Sequence, residues 1–517
     1  MRSAAKSTGI PVLFNDADAD ATSAVARAMT EARAAQSRWW RTPLDRRLKL
    51  IRKLRRLIAE HALQLAEASA SVRRRPALES LTAEVLPLAE ACRFLEREAG
   101  RILAARRLGR RGRPLWLAGV RSEIHREPLG VILIIGPGNY PLLLPGVQLI
   151  QALASGNAVL LKPGLGGTPA ARALAELALR AGFDPQLVTL LPESVEAARA
   201  AIMTRPDKVL FTGSAATGEK ILGQLAPHVI PATMELSGCD AVLVRADADL
   251  DLLVRALAFG LRLNAGATCM SPKRVLVHRS IGTELEGRLA QDLCRSRGDE
   301  SRPSIHSPGL LASAATERLR PVLDDALARG AHLIAGEIND DGSVTLPLVL
   351  GGVSPSSRLL REDIFAPVLA LVTVADDHEA VFRANDCPFA LTASIFSRDE
   401  SAARWLAARI NAGAVTINDL IIPTADARLP FGGRGRSGFG VTRGAEGLLE
   451  LTAPKVVTVS RGKFRPAFDL PQPGDEALFN AYLRLAHGRG LKSRWAALVS
   501  LIKTISHRTK SSSQDNT

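Results

Sequence analysis

Between Gly130 and Gly136 stand five consecutive branched apolar residues, Val131 to Ile135, and this run constrains the fold more than any other. It has the length of a strand, far below the roughly 20 residues that cross a membrane as a helix. A helical pattern over 142–154 follows and leads through Ser155-Gly156-Asn157 to a second strand at 158–162. A helix at 170–181, a strand at 187–191, and a strand at 209–211 entering Thr212-Gly213-Ser214 continue the series. Strands that alternate with helices predict parallel βαβ units, and so an α/β protein. A second alternating α/β region runs from about 241 to 430, with no internal repeat between the halves. Ahead of the first strand the pattern is helical over 21–75, where Leu48, Ile51, Leu54 and Ile58 recur between Arg and Lys. A further helical stretch covers 78–108 and ends at Gly109; 115–127 reads as extended.

At 517 residues the chain exceeds what one core organises, so two or more domains are expected. Its five cysteines (Cys92, Cys239, Cys269, Cys294, Cys387) are odd in number and widely spaced. That excludes a disulfide framework, and no Cys/His cluster predicts a metal. A reducing, cytoplasmic setting is expected, because Met1 to Phe14 lacks the apolar stretch of a secretory leader. The net charge of +15 gathers at Arg73-Arg74-Arg75 and at Arg106, Arg107, Arg110, Arg111 and Arg113. With aromatics at 4% and none interleaved among these arginines, solvated helix faces are expected rather than a nucleic-acid partner.

Three distant segments carry chemistry. Cys269 lies in Asn264-Ala265-Gly266-Ala267-Thr268-Cys269-Met270-Ser271-Pro272, Glu235 in Met234-Glu235-Leu236-Ser237-Gly238, and Asn139 in Gly136-Pro137-Gly138-Asn139-Tyr140-Pro141. A thiol, a carboxylate and a side-chain amide supply a nucleophile, a base and an oxyanion donor for work at a carbonyl. Singly, each has a plainer reading: a small buried hydrophobe, an acid at a strand end, a turn residue. Gly213-Ser214-Ala215-Ala216-Thr217-Gly218 follows a strand and opens a helix, where backbone amides can face a pyrophosphate. Gly433 to Gly438 also matches GxGxxG, but no strand-to-helix context surrounds it, so it is expected to be a glycine-rich loop.

In order and surroundings these segments resemble the aldehyde dehydrogenase superfamily from roughly Val25 to Thr458. The resemblance implies a Rossmann-type cofactor domain (1–112 and 127–236), an α/β catalytic domain (237–445) and small oligomerisation strands (113–126 and 446–462), followed by a basic extension over 463–517. It implies NAD or NADP as cofactor. Lys162 would contact the adenosine ribose; Gly213, Ser214 and Gly218 would meet the pyrophosphate; Asp363 and Phe365 would lie beside the nicotinamide ribose. Cys269 would attack an aldehyde with Asn139 holding the oxyanion, hydride would leave, and Glu235 would activate water to release the acid. An acylating enzyme that uses coenzyme A, or a non-catalytic scaffold of the same fold, is the alternative. A dimer or tetramer is implied. The chain departs from the family pattern at Gly138, Leu165, Ser237, Cys239, Ala267 and Asp363; Leu165 stands where an acid that favours NAD is common, which leaves NADP open.

After Val459 a Pro-rich linker is expected at 466–473, then a helix over 476–505, then a disordered tail from Lys510. Trp495, Leu498, Val499, Ile502 and Ile505 share one helix face beside Lys492, Arg494 and Lys503. Such a face packs on the enzyme body or a partner subunit, or makes peripheral contact with an anionic membrane.

Overall fold

The computed structural model describes residues 21–70, 75–114, 117, 119–297, 313–338, 344–461, 468 and 473–514. The readings made for 1–14, Arg73-Arg74 and most of the 466–473 linker lie outside these residues. Two units are compact: 1–106 with 124–455, and 107–123 with 456–517.

The first unit is built on two sheets. Their strands, in chain order, are β1 (Val131–Ile135), β2 (Ala158–Lys162), β3 (Val188–Leu190), β4 (Lys208–Gly213), β5 (Ala232–Leu236), β6 (Asp240–Val244), β7 (Pro272–His278), β8 (His332–Ile338), β9 (Val344–Gly351), β10 (Val368–Val374), β11 (Thr392–Phe396), β12 (Ala414–Ile417) and β13 (Gly438–Phe439). The first sheet has the order β13-β5-β4-β1-β2-β3, parallel except for β13. The second has the order β8-β9-β10-β7-β6-β11-β12, parallel except for β8.

Val131 to Ile135 is buried throughout, as its composition demands. The turn expected at Ser155-Gly156-Asn157 closes the helix Leu143–Ser155. Gly156 takes a left-handed φ of 95°, and Asn157 N–H bonds back to Ala152 O at 2.9 Å. In the second sheet, Ala241 and Leu243 join one core while Val242 and Val244 join another. Alternate side chains leave opposite faces of a strand, so this sheet is covered on both sides.

The helical stretch expected over 78–108 is shorter and broken. It runs as Ala77–Ser80, a π-helical turn Leu81–Val85, and Leu86–Ile102, with Arg106–Arg107 already a strand. The π turn delivers Glu84 to the interior. There its Oε2 accepts the N–H groups of Leu142 and Leu143 at 2.8 and 3.0 Å, and Arg75 pairs with its other oxygen. A periodicity argument counts apolar positions and cannot see a carboxylate recruited to the next helix's free amides.

Val120–Pro128 lies between Arg106–Arg107 and Thr452–Ser460 in a three-stranded sheet. In the second unit the helices Asp475–His487 and Leu491–Gln514 form a hairpin around the turn at Gly488 and Gly490. The tail expected to be disordered from Lys510 is helical as far as Gln514, because the helix continues from its neighbours without a Pro or Gly to stop it.

Candidate active site

Most of the first sheet's candidates sit at the carboxyl ends of its parallel strands, where open α/β sheets bind their ligands. Asn139 follows β1, Lys162 ends β2, Ser214 follows β4 and Glu235 lies near the end of β5. Cys269 comes from the loop that enters β7 of the second sheet.

That loop is forced into an unusual path. Asn264 and Ala265 both hold φ near 51°, a left-handed conformation that side chains resist. The surroundings over-determine it. Asn264 N–H donates to Glu79 Oε1 at 2.8 Å, and its side-chain amide donates to Asn139 O at 3.0 Å and Ala267 O at 3.2 Å. Tyr140 and Thr268 share a hydroxyl hydrogen bond of 2.6 Å. Lys273, buried, donates to Ala366 O at 2.9 Å and Gly266 O at 3.3 Å. Gly266 itself approaches the chain so closely that a Cβ would lie 2.6 Å from the Ala366 carbonyl carbon.

The three chemical segments therefore meet. Asn139 Nδ2 donates to Ala267 O at 3.1 Å, two residues before the thiol. A Cβ added to Gly238 would come within 2.8 Å of Cys269 O, so the segment after Glu235 packs on the thiol's own backbone. Cys269 is half-buried, while Glu235 is 3% exposed. Burial pushes the Cys269 thiol up, and the negative charges of Glu235 and Asp240 add to it. Burial likewise raises the Glu235 carboxyl, with Arg443 and the Thr442 hydroxyl opposing. Glu235 Oε2 accepts from Thr442 Oγ1 at 3.3 Å; Oε1 has no partner among the described residues.

Arg443 was not legible as a site residue. It lies 7% exposed with φ 63°, its Nη1 donating to Thr424 O at 2.8 Å and its guanidinium carbon 5.1 Å from the Phe431 ring centre. Its charge bears on both Glu235 and Cys269. A cavity of about 10 Å³, the size of one water molecule, lies beside it, lined by Ala91, Phe94, Leu143, Val147, Gln151 and Ala425. Arg443→Met should move the acid limb of the kcat–pH profile to higher pH, since the base functions only when deprotonated and loses its opposing charge. Arg443→Lys should restore it; an unmoved limb in the methionine variant contradicts this charge role.

The cofactor candidates form a second group. Ser214 caps the helix Ala215–Leu225, accepting Thr217 N–H at 3.3 Å. A Cβ on Gly218 would meet Leu236 Cδ2 at 2.7 Å, so glycine lets this helix start close to β5. Lys162 is buried and its ammonium pKa is lowered by that burial, with Glu193 opposing. Glu193, unremarked in the sequence, shapes the neighbouring loop by accepting Gly166 and Thr168 N–H at 2.6 and 2.7 Å. Asp363 is pushed up to about 6 by burial, against the pull of Ser237 and Lys273, and its Oδ1 is buried without a hydrogen-bond partner among the described residues. Phe365 is 38% exposed beside it. These groups fit a dinucleotide: an amide-lined helix start, a lysine at a strand end and an acid with a free acceptor for a hydroxyl. Gly138 has a local cause, for a Cβ there would lie 2.9 Å from Leu165 O. The 433–438 glycines open no helix, but the segment expected as a loop carries two short strands, Arg434–Gly435 and Gly438–Phe439, joined by a turn. Arg434–Gly435 pairs with Phe389–Ala390, and Gly438 stands opposite Glu235.

A parallel α/β sheet whose strand ends gather a buried lysine, an amide-lined helix start and a buried carboxylate beside a cysteine-bearing loop fits a nucleotide-dependent oxidoreductase. Comparison with known proteins makes the class specific. The model of the aldehyde dehydrogenase family matches residues 12–457. A 4,4'-diapolycopene aldehyde oxidase from Methylomonas sp is 32% identical over 428 residues, spanning 82% of this chain and 80% of that protein. The crystal structure of an NAD-dependent aldehyde dehydrogenase from Sinorhizobium meliloti superposes with a TM-score of 0.79 at 31% identity, covering 87% of this chain and 89% of that one. An NADP-dependent enzyme of E. coli superposes with a TM-score of 0.78 at 26% identity, covering 85% and 90%. The chain belongs to the aldehyde dehydrogenase family, NAD(P)-dependent enzymes that oxidise aldehydes to acids. Its homologues use NAD+ or NADP+.

Proposed function

We propose that this chain oxidises an apolar aldehyde to its carboxylic acid, with Cys269 as covalent carrier and water as final acceptor. The meeting of the Cys269 loop, the Glu235 strand end and the Asn139 turn carries this reading. Cys269 loses its proton to solvent water and the thiolate sulfur bonds to the carbonyl carbon, making a thiohemiacetal oxyanion, which becomes a thioester once hydride leaves that carbon. The Asn139 amide, turned from Ala267 O, donates to that oxygen. Bound NAD(P)+ supplies the hydride acceptor. Glu235 Oε1 then takes a proton from water as its oxygen attacks the thioester, and the sulfur departs as thiolate. A buried carboxylate with an open acceptor suits this step and favours water over coenzyme A. Asn139→Ala should cost about 3 kcal/mol of transition-state stabilisation, read as a fall in kcat of roughly 10²–10³ with KM little changed.

For the cofactor, we assign Lys162 to the adenosine ribose, Gly213, Ser214 and Gly218 to the pyrophosphate, and Asp363 and Phe365 to the nicotinamide ribose. The cofactor domain then comprises 1–112 and 127–236, and the catalytic domain 237–445. Leu165 is 80% exposed and offers no acceptor to ribose hydroxyls, while both oxygens of Glu193 are engaged by the loop. The ratio of kcat/KM for NAD and NADP should therefore lie within about tenfold; a strong NAD preference counts against it. The exposed valines Val456, Val457 and Val459 on the strand Thr452–Ser460 support a subunit contact there, in a dimer or tetramer.

The hydrocarbon substituent is taken from the name of the Methylomonas relative, a 4,4'-diapolycopene aldehyde oxidase. The test is NAD(P)H absorbance across an aliphatic series beside succinic semialdehyde, with product analysis with and without coenzyme A. Rising kcat/KM with chain length and a free acid product support the reading. An acyl-coenzyme A product, or no turnover and no cofactor binding with any aldehyde, defeats it.

A further inference from the structure

We propose that the carboxyl-terminal helix Leu491–Gln514 docks the protein on an anionic lipid bilayer. Leu491, Trp495, Leu498, Ile502 and Ile505 recur at spacings of three and four, so they form one stripe along the helix. All five are exposed, Leu491 by 86% and Trp495 by 69%. The hairpin with Asp475–His487 is closed by small residues instead, Ala481 and Ala497 being its buried positions. Lys492 and Lys503 flank the stripe on one side and Arg494 on the other, all exposed. From Ala477 to Gln514 the sequence contains no Asp or Glu. Contiguous apolar surface of this kind on a folded chain marks a binding face.

Charge decides the occupant. A second copy of the helix would set basic flanks against basic flanks, a like-charge juxtaposition that disfavours self-pairing. A nucleic acid would satisfy the flanks but leave the stripe in water. An anionic bilayer satisfies both, since the stripe enters the acyl boundary while the basic groups stay at the headgroups. No helix among the described residues is long and apolar enough to cross a membrane, so the helix lies in the plane of the surface. This docking does not depend on the aldehyde reading, because it is measured without substrate.

The test is co-sedimentation of the full chain with vesicles of phosphatidylcholine containing about one-third phosphatidylglycerol, and with phosphatidylcholine alone, at low and high salt. The wild type should pellet with the anionic vesicles only, and less at high salt. Trp495→Gln with Ile502→Gln keeps every charge and removes the stripe; Lys492→Glu with Lys503→Glu keeps the stripe and reverses the flank. Each pair should lower vesicle affinity by about tenfold or more, with unchanged melting temperature. Equal binding by wild type and the glutamine pair would show adhesion through net charge alone and overturn the proposal. So would a wild type that stays in the supernatant, or a glutamine pair that changes the subunit number by light scattering without any vesicle binding by the parent.

Discussion

Cys269→Ala is expected to abolish aldehyde-dependent NAD(P)H formation, lowering kcat by at least about 10⁴-fold. The reason is positional as well as chemical. Of the other cysteines with described surroundings, Cys92 is buried in the core, and Cys239 and Cys387 both point their sulfurs at Leu360 O, 3.6 Å away. None can replace the lost thiol. Cys92→Ala serves as the control and should retain most activity. The thiol's chemistry gives a second readout. Burial and the Glu235 charge hold its pKa above the ordinary value, so the thiolate fraction stays small at neutral pH and grows with pH. Iodoacetamide inactivation should accelerate steadily from pH 7 to pH 9 without a plateau, and the alanine variant should lose that labelling. Retained turnover in Cys269→Ala would remove the covalent carrier from the mechanism.

Glu235→Gln is the second large effect, and it separates the two halves of the reaction. Carbon–sulfur bond formation and oxidation need no base at this position, whereas thioester hydrolysis does. The variant should release a burst of about one NAD(P)H per active subunit and then turn over roughly 10²–10⁴-fold more slowly than wild type. Stopped-flow absorbance measures both phases. Burial raises the Glu235 carboxyl, so below that raised pKa the wild-type base is protonated, and kcat should rise with pH until it ionises. The glutamine variant should lose this acid limb. A variant with neither burst nor turnover would place Glu235 before hydride loss instead of after it. Glutamine keeps the shape of the side chain, and among the described residues the only hydrogen bond to the Glu235 carboxyl is the long one from Thr442, so the fold should tolerate it.

Much of the architecture could be read from the chain because the information was local. The strands at 131–135 and 158–162 carry apolar runs that only strand burial explains, and the Gly156 turn is written in Ser155-Gly156-Asn157. The GxGxxG at 433–438 could be set aside as a dinucleotide fingerprint because its flanks lacked a strand-to-helix context. Failures came where a polar side chain acts across the fold. Glu79 and Glu84 lie in a stretch that reads as amphipathic helix, yet one holds the Asn264 amide and the other caps the Leu143–Ser155 helix. Glu193 has no motif, only two amides waiting in the next loop. Arg443 follows the late glycine signature, but no spacing rule tells that its charge bears on Glu235, 208 positions earlier in the chain.

The amino-acid sequence by itself determined the α/β alternation, the order of the chemical segments and the amphipathic stripe near the carboxyl end. Each depends on residue type and on spacing within a few turns, which the backbone converts directly into a face or a strand. Only the tertiary structure decided that Gly238 rests on the Cys269 backbone, that Asn139 reaches Ala267, and that Arg443 offsets the buried Glu235 charge. Those relations depend on distances between segments far apart in the chain, and on the loss of water around them. Both are set when the sheets pack, and neither is encoded in any local pattern.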